Sequence, residues 1–258
     1  MTIVQALTAA AAKHTTPGFV AAASHNGKPL YSGAFGALAI GTTIPMAEDS
    51  IFWLASMTKA VTATAAMQLV EAGKLDLDAP IGSLLPELGR AQVFDGFAAD
   101  GSVKLRAPKR PITLRHLLTH TSGHVYDMWN ADFAKAAKLL GIPNLGTSLN
   151  AALNTPLMFD PGTNWEYGIG IDWAGKAVEA ASGKPLDAYV EAHIAAPLGM
   201  VDTSFTPRAS RPNTADAAIA RPTQTRGAGS FGRNLCIPTS KPMPARDNTT
   251  VRPFAWLS

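Results

Sequence analysis

Residues 52–74 read FWLASMTKAVTATAAMQLVEAGK and place Ser56 and Lys59 three positions apart at the start of an apolar segment. A serine hydroxyl is a poor nucleophile unless a neighbour takes its proton. Positions i and i+3 of a helix share a face, so Lys59 can reach Ser56. An ordinary lysine, with a pKa of about 10.4, is protonated and useless as a base. Burial disfavours the ammonium and lowers that pKa. The pair therefore has the types and spacing of a nucleophile with its proton acceptor. A helix start adds a dipole and free N–H groups that help to hold a developing oxyanion. The same spacing also arises by chance, as a capping serine above a surface lysine, so the surrounding sequence has to decide.

That surrounding sequence is specific. ASMTKA, followed by a small-residue helix, resembles the Ser-x-x-Lys signature of the serine β-lactamase and penicillin-binding protein superfamily. GKLDLDAPI (73–81), ITLRHLLTHTSG (112–123), DPGTNWEYGIGIDWAG (160–175) and PLGMVDTSF (197–205) then follow in the order of class C β-lactamases and family VIII carboxylesterases. The long GFAADGSVKLRAPKRP loop and WEYGI are most similar to the esterases. The resemblance covers residues 1 to about 206.

The resemblance implies an α/β fold: a mixed antiparallel sheet flanked by helices, plus a largely helical region that carries Tyr167. Tyr167, in WEYGIG, matches the family tyrosine that faces the Ser–Lys pair. By that likeness Ser56 attacks a carboxylic ester and forms an acyl-enzyme. Lys59 and Tyr167 pass the serine proton to the leaving group and then activate water, and either of them can be the base. Ile169 replaces the Asn usual in β-lactamases, which favours short-chain esters over lactams and leaves at most weak cephalosporin hydrolysis. Trp165, Ile169, Tyr126 and Trp129 are the expected pocket residues. No metal and no organic cofactor is implied. The family's third motif, a short strand near the C-terminus, is not found: SKPMP (240–244) has Pro where a strand N–H should donate. The fold is therefore expected to be incomplete at its C-terminus.

Two other patterns compete for attention. AGSFG (228–232) resembles a nucleophile elbow around Ser230, but that motif needs a strand before it and a helix after it. His116, His120 and His124 recur every four residues, as metal ligands on a helix face would. Thr121-Ser122-Gly123 breaks that helix, and LLTHTSG accounts for His120 as a structural residue below the site.

The elements that must position these residues follow from periodicity and punctuation. Residues around 18–36 predict a hairpin about Asn26-Gly27. Met57 to Ala72 predicts a helix stopped by Gly73, apolar enough all round to be buried and central. Residues 95–112 read as a long polar loop. Short helices are expected from Thr113, over 131–140, over 169–181 ending at Ser182-Gly183, and from Pro185 to about Ala196. The N-terminus suits a short amphipathic helix.

The chain has 258 residues, about half of them apolar, and a net charge of +3. The excess sits in residues 207–258, with seven arginines and one lysine against two aspartates. Residues 1–206 thus form the hydrolase-like region and 207–258 a Pro/Arg-rich irregular tail. The body offers no basic footprint for nucleic acid. No apolar run reaches the roughly 20 residues of a membrane span, and no secretory signal is read. One cysteine, Cys236, excludes an internal disulfide. These features suit a cytoplasmic enzyme acting on a small-molecule ester, with no membrane or nucleic-acid partner. The alternative is a non-catalytic or truncated remnant of the same fold that only binds a ligand or partner.

Overall fold

The computed structural model describes residues 2–12, 17–147, 149–205 and 236–238. In chain order its elements are α1 (Ile3–Ala12), β1 (Gly18–His25), β2 (Lys28–Gly36), β3 (Ile51–Trp53), α2 (Thr58–Glu71), α3 (Pro86–Gly89), β4 (Val93–Phe97), β5 (Val103–Arg106), α4 (Leu114–Leu118), α5 (Ala131–Leu139), α6 (Gly170–Ser182), α7 (Leu186–Val190) and β6 (Cys236–Pro238). The strands pair two by two and antiparallel: β1 with β2, β3 with β6, β4 with β5. The described residues form two compact units. One comprises residues up to Ala55, those from Ala195 to Phe205, and β6; the other runs from Ser56 to Ile194.

In the first unit the β1–β2 hairpin turns through Asn26 and Gly27, at φ 48° and 72°. A two-residue hairpin loop of type I′ needs positive φ at both central positions, which is why Asn-Gly marks it in sequence. Phe19 and Phe35 face each other across the pair with rings 5.2 Å apart. Val20, Leu38 and Met46 form a small core there, covered by Ala34 and Phe52. β3 pairs with β6 through Ile51↔Pro238, Phe52↔Ile237 and Trp53↔Cys236. So three residues of the tail expected to be irregular form a strand. The rest of that tail, with Ser230 and the SKPMP segment, lies outside the described residues.

The second unit is mainly helical. α2 stops where Gly73 takes φ 67°, and Lys74 N–H closes the end on Leu69 O at 2.9 Å. It buries Thr62, Ala65, Ala66 and Leu69. Ala60, Thr64, Met67 and Glu71 lie exposed along its other side, so it is not buried all round as its apolar composition suggested. Alanine and threonine carry little apolar area to bury or expose, so a run of them does not define a face. α6 is the core helix, burying Ile171, Trp173, Ala174, Ala177 and Val178, and it ends at left-handed Gly183. Thr113 caps α4 reciprocally with His116.

Residues 95–112 hold the largest departure from expectation. β4 and β5 form a hairpin where a loop was read, with Phe94 and Phe97 in edge contact at 5.0 Å. Asp100 and Gly101 make its turn: Gly101 takes φ 82°, and Asp100 accepts hydrogen bonds from both the N–H and the hydroxyl of Ser102. The polar residues belong to the tip, and the register irregularity between Phe94 and Phe97 hides the strand alternation. Backbone bonds Phe94 N→Leu157 O and Leu157 N→Gln92 O stitch the hairpin to the segment ahead of Asp160. No described helix is long and apolar enough to cross a membrane.

α6 meets α4 at Gly170, where a Cβ would lie 2.6 Å from Leu117 O. Gly170→Ala should therefore destabilise the protein by about 1–2 kcal/mol: overpacking of about 1–3 kcal/mol outweighs the helix-propensity gain of at most about 1 kcal/mol. Chemical denaturation checks this, and a stabilised variant would show that the helices can part at no cost.

Candidate active site

Ser56 lies in a 3-10 turn, Ala55–Met57, that runs directly into α2. Ala55 takes φ 46°, a left-handed conformation unusual without glycine. The turn leaves Ser56 exposed at the positive end of α2. One turn on, Lys59 points back, and its Nζ donates to Ser56 Oγ at 3.3 Å. The ammonium also sits 4.9 Å from the centre of the Tyr167 ring and 5.7 Å from that of Tyr126.

Those neighbours decide the charge on Lys59. Burial is the largest single influence and pulls its pKa down, as the sequence suggested. Hydrogen bonds to Tyr167 and Tyr126, with the attraction of their oxygens, outweigh it, and the net shift is upward from 10.5. Sequence reasoning saw the apolar helix but not the two phenols. Burial, and then the charge of Asp172, push Tyr126 up. Asp172, in the first turn of α6, is itself raised by burial while Lys59 pulls it down. Its only advance signal was a lone carboxylate in the apolar run GIDWAG.

The Tyr167 segment is held from several sides. His120, at φ 57°, accepts Glu166 N–H on its carbonyl and Gly168 N–H on Nδ1, so it grips both neighbours of Tyr167. Its ring lies 4.6 Å from that of Tyr167. Burial, and then Lys59, lower the His120 pKa, so the ring stays neutral beside the ammonium. Asn130 caps α5 and donates to both carboxylate oxygens of Glu166. Gly168 lies so close to His124 that a Cβ would fall 2.2 Å from its carbonyl. Further out, buried Asp160 accepts both ends of the Arg106 guanidinium at 2.9 Å and Lys109 N–H at 2.9 Å. These bonds, Arg106 first, hold its pKa at about 2.

Of the expected site residues, Ser56, Lys59, Tyr167, Tyr126 and Trp129 come together. The Trp129 ring lies 5.5 Å from Tyr167 and 5.7 Å from Tyr126. Trp165 stands edge-on to His120 at 6.3 Å and is 62% exposed; Trp129 is 61% exposed. Ile169 does not join them. It is fully buried and lines a small cavity with Val125, Phe133 and Ala152. The chain turns inward there to start α6, which the two-residue spacing from Tyr167 did not reveal. The three histidines also separate: His116 caps α4, His120 holds the tyrosine segment, and His124 is buried against Ser122 Oγ at 3.0 Å.

A serine, a lysine one turn below it, and two phenols closing on that lysine define the site's geometry. A family model described as Beta-lactamase matches residues 3–235. The chain belongs to the beta-lactamase family. A lovastatin esterase of Penicillium rubens is 41% identical over 192 residues, covering 73% of this chain and 48% of that protein. The acyltransferase mokF of Monascus pilosus is 38% identical over 194 residues, covering 72% and 46%. Unliganded simvastatin synthase (LovD) from Aspergillus terreus superposes with a TM-score of 0.76 at 32% identity, covering 92% of this chain and 63% of that one. The fold is thus β-lactamase/transpeptidase-like, with helices and antiparallel strands. The chain spans about half the length of these curated relatives.

His124 supplies a clean stability test. Burial depresses its pKa from 6.5 to about 3. Between those values the unfolded chain binds a proton that the folded one refuses. Its neutral burial is therefore harmless above about pH 6.5 and costs stability as pH falls, by about 1.4 kcal/mol per unit. His124→Gln should flatten the fall in unfolding free energy between pH 6 and 4 by close to one proton. An unchanged slope would mean that His124 titrates normally.

Proposed function

We propose that this beta-lactamase-family chain carries the acyl-enzyme chemistry of a serine hydrolase acting on short-chain carboxylic esters. The observation that supports this best is the contact of Lys59 Nζ with Ser56 Oγ, under two converging tyrosines. In this reading Ser56 Oγ bonds to the ester carbonyl carbon, and the alkoxy group leaves with a proton. The serine proton travels through the Lys59–Tyr167 pair to that leaving oxygen. Water then attacks the acyl-enzyme, giving its proton to the same pair, and Ser56 is restored. The start of α2 faces the developing oxyanion.

The openness of the site favours a second reading. Exposed Trp129, Trp165 and Met128 give an apolar surface on which an alcohol, rather than water, can take the acyl group. The similarity to an acyltransferase supports that variant. Hydrolysis and transfer share the first half-reaction, so the same residues serve both.

A fluorophosphonate should leave one phosphonyl adduct per chain at Ser56, with loss of fluoride, and a fluorescent penicillin one penicilloyl adduct, read by intact mass and peptide mapping. Ser56→Ala should abolish the adduct and the hydrolysis of a short-chain nitrophenyl ester. Lys59→Ala and Tyr167→Phe should each cost on the order of 10²–10⁴ in turnover, and the double variant little more, because the two act as one unit. Labelling that survives Ser56→Ala would place the nucleophile elsewhere. No labelling of the folded chain at all would favour the non-catalytic alternative.

The pH profile gives a separate test. Its tyrosine partners hold the pKa of the Lys59 ammonium above its ordinary 10.5, so Lys59 must shed a proton before it can accept that of Ser56. The value of kcat/KM should rise from pH 7 to 9. Tyr126→Phe removes two of the influences that raise Lys59 and should shift the rising limb to lower pH. A flat profile would mean that Lys59 has already lost its proton at neutrality.

A further inference from the structure

The two phenols that close on Lys59 come from separate segments, and Asn130 stands between those segments. Tyr126 O accepts Trp129 N–H at 3.3 Å and Asn130 N–H at 3.2 Å, so the turn from Tyr126 to Asn130 is closed on itself. Glu166 directly precedes Tyr167, and its N–H is held on His120 O at 3.0 Å. Asn130 Nδ2 then donates to Glu166 Oε1 at 3.0 Å and Oε2 at 3.3 Å. This side-chain bond spans 36 positions and joins one tyrosine-bearing segment to the other.

The chemistry of the bond is fixed at both ends. Asn130 Oδ1 accepts Phe133 N–H at 3.0 Å as the cap of α5. An amide has one acceptor oxygen and one donor nitrogen, so Nδ2 is left for the carboxylate. Both residues are half-buried, and a bond to a carboxylate is among the stronger kinds. Aspartate would cap α5 as well as asparagine does. It would also set a second carboxylate against Glu166. Position 130 therefore asks for more than a cap.

What the bond controls is the gap between the phenols. Their rings lie 5.6 Å apart, with the Trp129 ring against both. Tilted rings tolerate small slides, whereas a hydrogen bond weakens steeply once its geometry is lost. Lys59 draws on both phenols at once. Released from either, its ammonium is left more to burial, which pulls its pKa the other way.

We propose that Asn130 is a positioning residue for the hydrolysis: through Glu166 it clamps the Tyr126 and Tyr167 segments together at the spacing that Lys59 requires. The inference rests on the Ser56 chemistry proposed above.

The test swaps donor and acceptor in the full chain. Asn130→Asp keeps the cap and turns the clamp repulsive. It should lower kcat about tenfold or more with KM little changed, since the phenols serve proton transfer and a misplacement of about 1 Å can cost about 10²-fold. The rising limb of its kcat/KM profile should move to lower pH, because the phenols no longer hold the ammonium up. Adding Glu166→Gln lets the new amide donate to Asp at 130, so N130D/E166Q should recover most of kcat and return the limb. Asp172 and His120, the other titratable groups that bear on Lys59, are the same in every variant. A residue that only stabilised α5 would neither move the limb nor respond to the swap. Should Asn130→Asp fail to fold, Asn130→Ser, which caps α5 but is too short to hold Glu166, carries the same expectation for the limb. Carbon NMR of Lys59 Cε, assigned by its loss in Lys59→Arg, reads the same shift without turnover. If the unsubstituted chain hydrolyses no ester, the reading of Ser56 fails, and that titration alone judges the clamp. A Lys59 titration unmoved by the position-130 variant overturns the proposal. So does a double variant no better than Asn130→Asp.

Discussion

A half-buried ammonium is the constraint around which the Ser56–Ile194 unit is arranged. Lys59 cannot leave water without replacement partners, because burial alone would strip its proton. Its partners come from distant parts of the chain: Ser56 from the turn ahead of α2, Tyr126 from the segment before α5, Tyr167 from the run into α6. Each is useless for this purpose unless its segment is held to within a hydrogen bond. That requirement explains the investment in backbone grip around Tyr167, where His120 binds both flanking residues and Gly168 lets the chain press against His124. The left-handed residues Ala55 and His120 both fall at these junctions, where a tight change of direction outranks backbone comfort.

Charge and neutrality alternate around that centre. Neutral His120 touches Tyr167 without adding a second cation, and Asp172 offers a carboxyl whose burial opposes full ionisation. The resulting site keeps one well-supported ammonium beside Ser56, in company with groups that can exchange protons with it. Macroscopic titration will therefore belong to the cluster rather than to any single residue.

Much of this was legible in the sequence, for physical reasons that differ by element. Asn26-Gly27 admits almost no other turn, Gly73 and Gly183 stop helices, and Thr113 marks the start of α4. Ser56 and Lys59 meet through helix geometry alone, so their contact needed no tertiary information. Tyr167 joined them only through resemblance to a family, since nothing local brings position 167 to position 59. The reading failed where identity depends on neighbours. The upward shift of Lys59 required both phenols, the burial of Ile169 required the point at which α6 begins, and the β4–β5 hairpin was masked by a polar tip and a break in register. The exposed side of α2 was missed because alanine and threonine do not declare a face.

The Arg106–Asp160 clasp joins positions 54 residues apart. Closing a loop of that length costs chain entropy that no local contact returns. Arg106 belongs to β5, so the fork that holds Asp160 is part of the β4–β5 hairpin. The clasp thereby ties that hairpin to the segment that runs on, seven residues later, to Tyr167. A tyrosine far from the hairpin in sequence thus inherits its placement in part from a strand that never touches the serine.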